Sequence, residues 1–179
     1  MELLNNFDQI LEEVILHLSD EFIVEDSIAI HKSARLESGA ILKGKIIIGE
    51  FLRIGAYASY LRGPIFIGNE VNIGPSSEIK QSLIMDKSAI AHFNYIGNSL
   101  IGENVNFEAG SICANHFNER IDKIISVKFN GETIITNSEK FGSLVGDNSR
   151  IDANAVLSPG TILNKNSIVK RLELVEQLP

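Results

Sequence analysis

The sequence predicts an all-β fold, a solenoid wound from six-residue units, with a helix ahead of it and a hairpin inserted into it. Three observations carry this. Aliphatic or aromatic residues recur at every sixth position from Val24 through Ile30, Leu36, Leu42, Ile48, Ile54 and Tyr60. Glycine follows the recurring residue at Gly49, Gly55, Gly68, Gly74, Gly97, Gly102 and Gly146. Four residues after it stands a small or β-branched side chain, as at Ala34, Ala40, Ala58, Val71, Ser77, Ser111, Ala155, Thr161 and Ser167. A period of six matches neither an α-helix nor a hairpin meander, but it matches a triangular coil of three short strands and three corners.

The first element is a helix. Leu3, Leu4, Phe7, Ile10, Leu11, Val14, Ile15 and Leu18 form one apolar stripe at helical spacing, with Glu12, Glu13 and Asp20 off it and His17 at its boundary. A solenoid leaves unpaired strand edges and an open core at its ends. Residues 1–22 are therefore expected to form an N-terminal capping helix.

The six-beat then runs over residues 23–170. After a seven-residue step it resumes at Ile67, Ile73 and Ile79. Five-residue steps lead to Ile84, Ile90 and Ile96 and to Ile101, Phe107 and Cys113, and a last run reads Val145, Ile151, Leu157, Leu163 and Val169. A β-sandwich also repeats its strands, but not at a fixed phase over so many units. The beat allows roughly six to seven coils of about eighteen residues, with glycine expected to supply corner conformations that a Cβ penalises. Residues 116–143 break it. There Asn130-Gly131 separates the β-rich runs 123–129 and 132–136, the signature of a type I′ hairpin, and so of an arm that reaches a neighbouring subunit or covers a site. Residues 171–179 read as a tail.

Composition bounds the function. With 179 residues and 44% hydrophobic side chains, the chain can build one domain with a real core. A net charge of −7 argues against a general grip on nucleic acid or anionic lipid, so any anion must be held by a local cluster. The single cysteine, Cys113, excludes an intramolecular disulfide and a cysteine-based zinc site, and no metal is expected. Glu2 and Asp8 stand where a secretory signal carries positive charge, and the apolar run Val14–Leu16 is far too short to span a bilayer, so a cytoplasmic protein without membrane association is expected.

Candidate chemistry comes from four side chains. Arg62 and Lys80 are eighteen residues apart, one full coil, which stacks two cations at about the 4.8 Å strand spacing. Like charges held that closely need a bridging anion, and a phosphate suits a guanidinium fork beside an ammonium. Alone, both could simply extend into solvent, and His92 alone could be an ordinary surface histidine; the company of Tyr95 ties them together. An imidazole can take the proton of an amine near neutral pH. Cys113 falls at an inward position of the beat, which favours a buried thiol over an acyl-carrying nucleophile.

These residues resemble a known family. Glu78-Ile79-Lys80, Ala91-His92-Phe93-Asn94-Tyr95-Ile96-Gly97 and the run from Ile101 to Asn115 are similar to the hexapeptide-repeat left-handed β-helix acyltransferases. Within them they look most like the acetyltransferase half of the bifunctional UDP-N-acetylglucosamine pyrophosphorylase/glucosamine-1-phosphate N-acetyltransferases, in the variety found in archaeal sugar-1-phosphate nucleotidylyltransferases. The resemblance implies a left-handed parallel β-helix and acetyl-CoA-dependent N-acetylation of an amino-sugar 1-phosphate such as glucosamine 1-phosphate. It makes His92 the general base, with Asn115 beside it and the acetyl group. Arg62 and Lys80 would hold the sugar phosphate, Tyr95 and Asn106 the sugar, and Arg120 or Lys123 would match a lysine that follows the asparagine. A backbone N–H near Asn115 and His116 would receive the oxyanion.

The family also implies a homotrimer with acetyl-CoA in the groove between prisms, to which Val145 to Val169 would contribute. The chain departs from it at Glu108-Ala109-Gly110, where a bare Gly-Ala-Gly is usual, which puts the choice of amino sugar in question, and at His116, where tyrosine is usual. No glycine-rich nucleotide loop is present, so no pyrophosphorylase activity is expected. Two other readings are a non-catalytic β-helix subunit that partners a separate nucleotidyltransferase, and an acyltransferase acting on a nucleotide-linked amino sugar.

Overall fold

The computed structural model describes residues 2–55 and 59–178; Ala58 of the small-residue series lies outside them. The chain winds into a triangular prism, the left-handed parallel β-helix of the hexapeptide-repeat type. Its walls are one eight-stranded and two seven-stranded sheets. The first wall stacks Ile28–His31, Ile46–Ile48, Ile65–Ile67, Leu83–Ile84, Leu100–Ile101, Ser143–Val145 and Thr161–Leu163, with Phe22–Glu25 antiparallel at its N-terminal edge. The second runs from Arg35–Leu36 to Ile168–Val169. The third runs from Ile41–Lys43 to Leu174–Val175, so residues assigned to the tail join the last coil. Each strand pairs in parallel with its counterpart one coil on, making seven coils among the described residues.

The inward residues form continuous ladders: Ile48, Ile67, Ile84 and Ile101 on the first wall, Ile54, Ile73, Ile90 and Phe107 on the second, Leu61, Ile79, Ile96 and Cys113 on the third, all buried. Two members of the sequence beat are outside this core. Leu61, not Tyr60, points inward, so the seven-residue step falls just before it. Val24 lies exposed on the antiparallel edge strand.

The corners also differ from expectation in their cause. Left-handed backbone occurs three residues after the inward aliphatic, at Phe51, Glu70, Lys87, Asn104, Asn148 and Asn166 on one edge and at Ser76, Phe93, Asn154 and Leu172 on the next. Asparagine is the usual non-glycine occupant of that region. The glycine directly after the aliphatic is required for another reason: successive coils touch there. A Cβ on Gly68 would lie 2.8 Å from the Asp86 nitrogen, one on Gly102 2.8 Å from the Asp147 nitrogen, and one on Gly146 2.5 Å from the Lys165 nitrogen.

The first wall is apolar on its outer side as well. Ala29, Ile47, Phe66, Leu83, Leu100, Leu144 and Ile162 lie in register along it. That stripe determines where the remaining elements settle. The helix Phe7–Ile15, preceded by Glu2–Asn5, lays Leu4, Phe7 and Leu11 over its N-terminal half, and Lys45 fastens it through Asp8 and Glu12 at 2.6 and 2.7 Å. The helix thus covers a flank of the prism, and among the described residues the N-terminal end keeps a hollow. Ile28, Ile30, Leu36, Ala40 and Leu42 floor a hollow of about 320 Å³ there. The hairpin Ser126–Phe129 and Glu132–Ile135 turns at Asn130 and Gly131, both with positive φ, as the sequence predicts. It folds back instead of reaching away: Ile125 and Val127 are buried with Phe117 and Phe141 against the same wall, while the second strand is exposed. No described helix is long and apolar enough to cross a membrane.

Gly74→Ala is expected to lower stability by about 1–3 kcal/mol or more, because its Cβ would collide with the Ala91 carbonyl. Leu172→Asn, at a left-handed corner, is expected to leave stability unchanged or raise it. Urea unfolding of both variants measures the difference, and equal midpoints would remove the coil-contact explanation.

Candidate active site

The third wall presents two outward rows. One holds Lys43, Arg62, Lys80 and Gly97 in register on successive strands; the other holds Ile41, Tyr60, Glu78, Tyr95 and Ile112. A column of three like charges at strand spacing is unfavourable unless countered. Glu78 counters part of it, its carboxylate accepting a close ion-paired hydrogen bond from Arg62. The Tyr60 ring counters another part, with the Arg62 guanidinium 5.3 Å and the Lys43 ammonium 5.7 Å from its centroid. The Nε of Arg62 remains buried without a hydrogen-bond partner.

A further cation arrives from the insertion. Phe141 N–H donates to the Asn115 carbonyl at 3.1 Å and Gly142 N–H to the Asn98 carbonyl at 3.0 Å, which pins the returning end of the arm to the third wall. Lys140, just before this clasp, is thereby delivered beside Lys80. Burial first, and then the charges of Lys140 and Arg62, hold the Lys80 ammonium below the ordinary lysine range. Such crowding of cations, partly withdrawn from water, makes a site that favours an anion.

Polar groups frame the cations. Gly97 has no side chain at the position that Lys80 holds one coil earlier, and the Tyr95 ring occupies the space; a Cβ there would lie 2.6 Å from its hydroxyl oxygen. That hydroxyl reaches the Asn115 side chain, and burial followed by the Glu78 charge raises its pKa. Asn115 Nδ2 donates to Asn98 Oδ1 at 2.6 Å and Asn98 Nδ2 to Gln81 Oε1 at 2.9 Å, while His116 Nδ1 lies 3.2 Å from Asn115 Oδ1. Asn98 and Asn115 are both buried, so this chain is held in one arrangement.

The structure therefore gathers Arg62, Lys80, Tyr95 and Asn115 on one face and adds Glu78, Gln81, Asn98, His116 and Lys140. His92 sits at the corner entering this wall, three residues before Tyr95 and at the margin opposite Lys80. It is exposed, and its ring lies edge-on to the exposed Phe93 with centroids 5.4 Å apart. The imidazole stands at the corner, whereas Arg62 and Lys80 lie in the outward row of the third wall itself. Asn106 is elsewhere, on the second wall between Ala89 and Arg150.

The arm residues named from the sequence lie apart from this cluster. Arg120 stacks on Phe117 at 3.5 Å and donates to the Leu178 carbonyl at 3.2 Å, so it fastens the arm to the last coil. Lys123 stays in the segment ahead of the hairpin. The lysine that the arm brings to Lys80 is Lys140, and its signal in the sequence is its place directly before the apolar Phe141 near the end of the arm. Glu108 is also engaged elsewhere. Its carboxylate accepts the Ala153 N–H at 3.0 Å and pairs with Arg171 at 2.9 Å, which makes it a brace between corners. Cys113 is fully buried, and burial pushes its thiol up to about 12. Among the described residues, no group of three or more His, Cys, Asp or Glu gathers to hold a metal ion.

No family model matches the chain. Among curated proteins, the bifunctional sugar-1-phosphate nucleotidylyltransferase/acetyltransferase of Sulfurisphaera tokodaii is 34% identical over 145 residues, 80% of this chain and 35% of that protein. The bifunctional protein GlmU of Methanococcus vannielii is 34% identical over 66% of this chain and 28% of that protein. GlmU of Clostridium acetobutylicum is 29% identical over 87% of this chain and 29% of that protein. The chain thus spans about a third of the length of the curated relatives it matches.

Two outcomes follow from the burial and charge of these groups. Cys113 is expected to resist a disulfide reagent at pH 8 until the protein unfolds; rapid modification of folded protein would contradict its place in the core. The lowered Lys80 pKa means that its charging opposes folding at neutral pH, an opposition that fades as pH rises through that pKa. Lys140→Ala removes one cause, so it should raise the urea midpoint more at pH 7 than at pH 10.

Proposed function

From homology to about a third of the bifunctional sugar-1-phosphate nucleotidylyltransferase/acetyltransferases, we propose that this chain is an acyltransferase that moves the acetyl group of acetyl-CoA to the amine of an amino-sugar 1-phosphate. The observation that carries the reading is the convergence of Arg62, Lys80 and Lys140 on the face bearing Tyr95 and Asn115. An anionic sugar 1-phosphate relieves the repulsion among those cations. The Arg62–Glu78 pair opens to present its guanidinium fork to the phosphate. Tyr95 and Asn115 then meet the sugar with fixed hydrogen-bonding groups.

An amine attacks a thioester only through a free lone pair. His92, accessible at the corner of this wall, takes the ammonium proton. The nitrogen adds to the thioester carbonyl, and a backbone N–H at the start of the arm, near Asn115 and His116, receives the charge on oxygen. The tetrahedral nitrogen loses its second proton to solvent, and collapse then forms the amide, breaks the carbon–sulfur bond and expels the coenzyme thiolate, which takes the first proton back from the imidazolium.

The walls of a triangular prism face different directions, so Asn106 on the second wall meets the same sugar only if it comes from another copy. This supports a homotrimer in which the second wall of one prism faces the third wall of its neighbour, with acetyl-CoA between them and the coils from Val145 to Val169 contributing to that groove.

The test follows thiol release from acetyl-CoA with glucosamine 1-phosphate, galactosamine 1-phosphate and a nucleotide-linked amino sugar offered separately. His92→Ala is expected to lower kcat by about 10²–10⁴-fold with little change in KM. Arg62→Ala is expected to raise KM for the sugar phosphate by about 10–100-fold, the loss of one charged hydrogen-bonding partner of about 1.5–3 kcal/mol. Release with the nucleotide-linked sugar alone would move the acceptor to that class. No release with any acceptor from folded protein would overturn the reading and leave a β-helix subunit of a separate nucleotidyltransferase.

A further inference from the structure

A second cationic hollow lies on a different edge of the prism, where the first wall turns into the second. It has a volume of about 320 Å³ and is lined by Lys32, Ser33, Ala34, Arg35, Phe51 and Arg53. Arg35 and Arg53 are register partners on adjacent strands, so two guanidinium groups start from backbones about 4.8 Å apart. On the third wall the equivalent crowding is offset by Glu78; here, among the described residues, no carboxylate forms an ion pair with either arginine. Lys32 adds a third cation, facing Glu21 at 3.8 Å with both side chains about half exposed. In a chain of net charge −7, the pair of arginines without an ion-pair partner is a local concentration of positive charge built by the coil register.

An aromatic ring shares the hollow. Phe51 stands at the corner with φ of 53° and is 63% exposed, in a position where asparagine would fit the backbone better. Its N–H donates to Ser33 Oγ at 2.8 Å, and that hydroxyl also meets His31 Nδ1 at 2.8 Å, which fixes the corner carrying the ring. An exposed ring beside two forked cations offers a stacking surface next to a phosphate grip.

We propose that this hollow is a nucleoside diphosphate site, with the phosphates held by Arg35, Arg53 and Lys32 and the base laid on Phe51. Within one chain it is separated from the third-wall cluster by sequence, wall and corner, and it stands whether or not that cluster transfers acetyl groups. The three phosphate-holding cations supply charge for a diphosphate, and the single ring supplies a stacking face for one base.

The probes are ADP, UDP and inorganic pyrophosphate, titrated calorimetrically into the full chain. Wild-type protein should bind all three, more weakly as salt rises. The double variant Arg35→Ser/Arg53→Ser should weaken every probe at least tenfold. Phe51→Asn, which suits its backbone, should weaken ADP and UDP several-fold and leave pyrophosphate unchanged. Circular dichroism confirms that each variant is folded. Binding that survives the double arginine change, or is lost instead on Arg62→Ala, would overturn the assignment, as would no binding by wild-type protein at millimolar probe. Equal losses of pyrophosphate and ADP in Phe51→Asn would remove the base from the proposal.

Discussion

The stacking of one coil on the next at strand spacing is the constraint on which the molecule depends. Because each residue in a wall sits over its counterpart one coil earlier, a single choice of side chain is repeated as a column. Inward columns of Ile, Leu, Val and Phe form one continuous core cluster, and each fully buried member contributes about 1.5–3 kcal/mol. The same closeness excludes a Cβ at Gly68, Gly102 and Gly146, where one coil's backbone meets the next. Outward columns inherit the spacing too. Arg62 above Lys43 and below Lys80, and Arg53 beside Arg35, are consequences of register that a less regular fold would not impose.

The three walls use that rule differently. The first is apolar on both sides, so it functions as an internal partition and draws the helix and hairpin onto itself. The second and third carry charge and polarity outward and remain open. Functional groups therefore collect where an outward column meets a corner or the end of the insertion. Lys140 shows the mechanism. It reaches Lys80 because Phe141 and Gly142 are clasped to Asn115 and Asn98, and because Phe141 is buried with the hairpin against the first wall. The apolar packing of one face thus positions a charge on another.

Much of this was legible in the sequence, and the gaps have physical causes. The six-residue beat marks the solenoid because only inward positions are obliged to be apolar, and Asn130-Gly131 marks the hairpin because few other pairs accept two positive φ values. The placement of Arg62 over Lys80 follows from arithmetic alone. Tyr60 stands one position from the inward Leu61, and a half-buried aromatic on an outer face has the same apolar signature as a core residue. The repeat suggests a corner conformation for its glycines, but their cause is contact between coils, which depends on a neighbour one coil on, across the inserted arm in the case of Gly102. The helix was legible as amphipathic, but what it covers depends on Ala29, Ile47 and Phe66 forming a second apolar face, a pattern hidden in the run Ile46-Ile47-Ile48. The coil arithmetic does not reach Lys140, because an insertion separates it from Asn115 in sequence.

The uncovered hollow at the N-terminal end has a consequence for how the prism comes apart. Repeat stacks gain stability from both neighbours, and a terminal rung has only one. The rung floored by Ile28, Leu36 and Leu42 is the natural place for fraying to begin, yet the helix lashed by Lys45 spans from it to later rungs on the outside. Peeling the first turn therefore also means lifting that splint. An end that looks loose from within is tied from without, and the unzipping of the column becomes a joint event of rung and brace.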